Sequence, residues 1–108
     1  MTRCVLMWDG YPCSYPSEWN HVACMRSRPV TVQNTTWFND FSPSIGFFYR
    51  GELIAQLFIA PDLPSARENP EDRKYHLCEV VSGDLVEETA ASTDDESEIL
   101  FLLQQIHS

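Results

Sequence analysis

The sequence predicts an α+β fold: one small domain over residues 1–108, with a mostly antiparallel sheet of about five to six strands, a C-terminal helix packed on one face and a short N-terminal helix. Three observations predict it. Ile45 to Pro61 consists of two apolar runs broken once, at Arg50-Gly51, and Tyr75 to Thr89 repeats the pattern around Ser82-Gly83. Runs rich in Phe, Tyr, Ile and Val suit a pleated surface, and glycine supplies the freedom a two-residue turn needs. At the other end, Ile99, Leu102, Leu103 and Ile106 recur at helical spacing behind a run of acids. The length is that of a single core which buries roughly two-thirds of the unfolded surface, and 44% apolar against 21% charged residues is a globular balance.

In chain order, Thr2 to Trp8 reads as a first strand, stopped by Asp9-Gly10 and by Pro12 and Pro16 beyond it. Ser17 is placed to cap a short helix to about Arg26, with Trp19, Val22, Ala23 and Arg26 on one side. Pro29 ends it, Val30 to Val32 is a short β-branched strand, and the aromatic segment Thr35 to Phe41 is a helical turn or a loop closed by Pro43. In the central hairpin a simple register pairs Tyr49 with Glu52, Phe48 with Leu53, Phe47 with Ile54 and Gly46 with Ala55. Both faces are then apolar, which predicts a hairpin in mid-sheet covered on both sides, with Gly46 and Ala55 leaving room for a helix. Pro61 to Lys74 has three prolines and mixed charge and reads as an exposed connection. Tyr75 to Val81 and Leu85 to Thr89 form the second hairpin, with His76 and Cys78 on one side of their strand. Thr93-Asp-Asp-Glu96 has the form of a capping box for the last helix.

The charge is uneven. Net charge is −9, yet residues 1–60 hold four basic and four acidic side chains; residues 61–108 hold twelve acids and three bases. Such an end repels nucleic acid and membrane surfaces and attracts basic proteins. The apolar run Cys4 to Trp8 is too short for a signal or a membrane span, so the expected location is cytoplasmic, with reduced cysteines.

Four features could carry chemistry. Cys4, Cys13, His21, Cys24, His76 and Cys78 are thiolate and imidazole ligands of the type zinc takes, but their spacing matches no zinc motif, and small hydrophobic roles account for the cysteines. Cys13 and His21 supply a nucleophile and a base without any motif that joins them, and no Gly-x-Ser-x-Gly, phosphate loop or His-Glu-x-x-His is present. A non-enzyme with no metal and no cofactor is expected. The third feature is the acidic group Glu87, Glu88, Asp94, Asp95, Glu96 and Glu98, twelve residues from a strand end to a helix start. Its two readings are plain solubility and a surface that mimics nucleic-acid phosphate and blocks a basic site. The fourth is the aromatic N-terminal half, in which Trp19 and Trp37 are candidate interface anchors.

In size, charge and lack of catalytic motifs the chain resembles small acidic inhibitors, the class of bacterial immunity proteins and phage-encoded antagonists. The likeness is one of composition. It implies a protein-binding inhibitor that occludes a basic partner, such as a nuclease toxin or a nucleic-acid-binding effector, without touching nucleic acid or membrane itself. The alternatives are an accessory subunit docking through Trp19 and Trp37, and a small zinc-binding domain.

Overall fold

A computed structural model describes residues 2–21, 30–36 and 42–105. Seven strands form two antiparallel sheets: a two-stranded hairpin, β1 (Arg3–Trp8) and β2 (Tyr11–Pro16), and a five-stranded meander, β3 (Val30–Asn34), β4 (Ser44–Tyr49), β5 (Glu52–Ile59), β6 (Tyr75–Val81) and β7 (Asp84–Thr93), in that spatial order. One helix, α1 (Glu96–Gln105), follows. The α+β class holds broadly, and both hairpins expected around Arg50-Gly51 and Ser82-Gly83 form.

The three tight turns share one backbone solution. Asp9, Arg50 and Ser82 have φ of 52, 53 and 53°, and the glycines after them 85, 79 and 84°. Two successive positive φ values define the turn whose twist matches paired strands. The first of these turns makes a hairpin that the prolines concealed. Pro12 and Pro16 lie in β2, a strand of a two-stranded sheet, where a missing N–H is tolerated at an unpaired edge.

The short N-terminal helix is a 3-10 turn, Ser17–Asn20. Ser17 makes no cap there: its hydroxyl and its amide both donate to the Thr2 carbonyl, at 3.0 and 3.2 Å, which ties the turn to the start of β1. The rest of that expected helix, from Val22 on, lies outside the described residues, as do Trp37 to Phe41.

The central hairpin corrects the simple register. Tyr49–Glu52 and Phe48–Leu53 pair as expected, but a bulge at Ile54 sets Phe47 opposite Ala55 and Gly46 opposite Gln56. One extra residue on one strand exchanges the faces of everything beyond it. Ala55, Leu57 and Ile59 therefore join Ile45 and Phe47 on one face, and with Tyr75 and Leu77 they form the core with Ile99 and Leu103 of α1 and with Cys13, Tyr15 and Trp19. Gly46 and Ala55 face opposite ways. The space above Gly46 is filled by the Thr35 methyl, the Leu53 side chain and the Phe48 ring rather than by a helix. On that second face Gln56 donates to the Ser44 and Thr35 hydroxyls at 3.0 and 3.3 Å, and Phe48, Leu53, Phe58 and His76 are half-buried.

A polar network binds the hairpin, sheet and helix together. Arg3 makes a two-pronged contact with Glu96, at 2.7 and 3.1 Å, and the Tyr75 hydroxyl donates to the same carboxylate at 2.6 Å. Ser14 donates its amide and its hydroxyl to Asp62, each at 2.8 Å, and Lys74 pairs with Asp62 at 2.7 Å. The helix begins two residues later than the capping box implied. Asp95 is the cap, its side chain accepting the Ser97 amide at 2.9 Å and its carbonyl the Ile99 amide at 3.3 Å. Thr93 accepts only the Asp95 amide, and Glu96 turns to Arg3 instead of back onto the chain. No helix among the described residues is long and apolar enough to cross a membrane.

Candidate functional site

β6 and β7 pair without interruption at Tyr75–Thr93, His76–Ser92 and Leu77–Ala91, and again from Glu79–Val86 to the turn. Residues 87–90 of β7 are left facing Cys78 alone. The register that runs from the turn reaches Glu87 at Cys78, and the bulge begins there. His76 and Cys78, two residues apart on one strand, point to one face of the sheet. Nε2 of His76 lies 3.1 Å and Sγ of Cys78 lies 3.9 Å from the same Glu87 oxygen, Oε2. The other ring nitrogen of His76 is held by the Ser92 hydroxyl at 2.5 Å. Cys78 is fully buried, His76 half-buried and Glu87 exposed, so the cluster runs from the sheet interior to the surface. Burial, reinforced by the Glu87 charge, pushes the Cys78 thiol up to about 11.

His76 and Glu87 also line a concavity of about 470 Å³, together with Phe58, Ala60, Pro61, Arg67, Arg73 and Lys74. Its cationic groups are already committed. Arg67 donates to the carbonyls of Pro61 and Asp72, each at 2.8 Å, and with Arg73 it faces Asp94, while Lys74 pairs with Asp62.

The six acids expected to form one edge have different surroundings. Glu96 is paired with Arg3, which holds its carboxyl below the ordinary range. Asp94 accepts the Lys74 amide and faces Arg67 and Arg73, and is likewise held low. Asp95 caps α1, and Glu87 is turned to His76 and Cys78. Glu88 and Glu98 are exposed and form no ion pair among the described residues, and neither do Glu79 and Asp84 nearby in sequence.

Trp19 is not a surface anchor. It is 1% exposed, packed edge-on to Tyr75 at 5.0 Å and stacked on Tyr15; Trp37 lies outside the described residues. Cys13 is buried in the core, and burial together with the Asp62 charge raises its thiol to about 11, the opposite of what a cysteine nucleophile needs. Among the described residues, His76 and Cys78 are the two of the candidate ligands that come together, and their third member is Glu87. The signal that could have found Glu87 is the two-residue Ser82-Gly83 turn, whose register of Val81–Asp84, Val80–Leu85 and Glu79–Val86 continues to Cys78 and Glu87. Comparison with protein-family models, with curated proteins and with solved structures finds no match.

Proposed function

We propose that this protein is a small acidic binding protein that inhibits a basic partner, one that handles nucleic acid, by covering its basic site with the exposed acids of β6, β7 and the start of α1. The observation that carries this reading is that every basic side chain of the acidic half is already used: Arg67 and Arg73 face Asp94, and Lys74 pairs with Asp62. None is left to offset Glu79, Asp84, Glu88 and Glu98, all exposed. Uncompensated charge of one sign on a rigid sheet edge speeds encounter with an opposite field and fixes its orientation. β7 is an edge strand, and acids there also keep it from pairing with another sheet. The two roles are compatible, since both need charge that no neighbour cancels. Asp94 and Glu96, being paired internally, contribute less to such a face than Glu88 and Glu98.

Recovery of partners from host lysate at low and high salt tests it, with the wild-type chain beside one carrying Glu79→Lys, Asp84→Lys, Glu88→Lys and Glu98→Lys. A basic protein held near one-to-one at low salt, released at high salt and lost with the four-lysine chain is the expected result. A partner held equally by both chains rules out the acidic face.

A further inference from the structure

We infer that His76, Cys78 and Glu87 form a binding site for a divalent transition-metal ion of the zinc type, built across the β6–β7 bulge. Imidazole, thiolate and carboxylate are the three donors zinc takes, and their ligand atoms lie within 4.8 Å of one another. Tetrahedral zinc, about 2.0–2.1 Å from nitrogen and oxygen and about 2.3 Å from sulfur, spaces its ligands about 3.3 to 3.6 Å apart. The observed separations from Glu87 Oε2, 3.1 Å to His76 Nε2 and 3.9 Å to Cys78 Sγ, fall on either side of that range. Glu87 is the exposed member, so its side chain can adjust both of these separations, and the His76 and Cys78 ligand atoms lie within 4.8 Å of each other.

Two further features fit an ion. The Ser92 hydroxyl meets His76 Nδ1, which leaves Nε2 facing the other two donors; a partner on the far nitrogen is the usual way a ligating imidazole is oriented. The bulge is the second. Continued from the turn, the ladder sets Glu87 opposite Cys78, and the bulge beyond it brings Ser92, in place of Thr89, opposite His76. On binding, the Cys78 thiol releases its proton to solvent as sulfur takes the metal. Three protein ligands leave one position for water or an anionic group, on the side where His76 and Glu87 meet the cavity.

Cobalt(II) titration of the full chain, stripped with chelator and desalted, is the test. One cobalt per chain is expected, with a thiolate-to-cobalt charge-transfer band and the intense visible bands of four-coordinate cobalt, both bleached by one equivalent of zinc. Cys78→Ser removes the charge-transfer band and Cys4→Ser keeps it. Glu87 is exposed, so Glu87→Gln leaves the fold intact and reports on ligation directly. Its affinity falls at least tenfold, and that of Ser92→Ala falls about 10- to 100-fold. No band with the wild-type chain, a band that survives in Cys78→Ser, or full affinity in Glu87→Gln overturns the site.

Discussion

Gly46 and Arg67 show how single positions govern this sheet. A methyl group at Gly46 would meet the Thr35 methyl and come within 2.8 Å of the Leu53 side chain. Both neighbours are side-chain ends, so the cost is that of overpacking, roughly 1–3 kcal/mol. Gly46→Ala is therefore expected to lower the urea midpoint, and restoration by Leu53→Ala in the same chain would show that crowding is the cause. Arg67, whose side chain is 8% exposed, carries both ends of the loop between β5 and β6 by donating to Pro61 and Asp72. Removing it leaves two carbonyls without that partner, and Arg67→Ala is expected to cost about 1–3 kcal/mol. Proteolysis at the Glu68–Arg73 segment should then speed up; unchanged cleavage would show that the loop holds its shape without the guanidinium. Sequence composition marked this segment as exposed, which most of it is. It gave no sign that one arginine organises it, because the carbonyls that Arg67 reaches are fixed by the fold.

At the level of elements, α1 and the hairpins were the most legible parts, since each is set by neighbours in the chain. The helix was readable from its apolar spacing, but the residue that starts it was not. Thr93 and Asp95 are both competent caps, and Glu96 is drawn off to Arg3 and Tyr75. Asp95→Ala should thus cost about 1 kcal/mol, and Thr93→Ala less. A larger loss from Thr93→Ala in matched thermal unfolding would restore the capping box. The same competition explains the bulges. Whether Ile54 is skipped, or residues 87–90 leave the ladder, depends on which partner each strand meets, and alternation within one strand carries no record of it.

For the whole molecule, the contacts that join β1–β2, the sheet and α1 run through carboxylates. Arg3 and then Tyr75 hold Glu96 low; for Asp62, burial pushes the carboxyl up, but Lys74 and the two Ser14 hydrogen bonds outweigh it and the net direction is down. Groups with depressed folded values bind protons more readily when unfolded, so they stabilise fully above the ordinary carboxylate range near 4, and that contribution is lost as pH falls from there through their folded values. Stability measured by urea unfolding should be level near neutrality and drop below about pH 4, with a shallower drop in Glu96→Gln. An identical acid slope in that variant would mean the Arg3–Glu96 contact adds nothing net, as exposed ion pairs sometimes do.

The sequence by itself determined the three turns, the alternating strands of the meander, the terminal helix and the concentration of negative charge after residue 60, all properties of residues a few positions apart. The tertiary structure decided which face each strand shows, that β2 is a strand despite its prolines, that Trp19 is core, and that Ser92 rather than Thr89 stands opposite His76. Those outcomes turn on register, and register is settled by which side chains the opposing strand and the covering helix can bury together, a choice made only when distant parts of the chain meet.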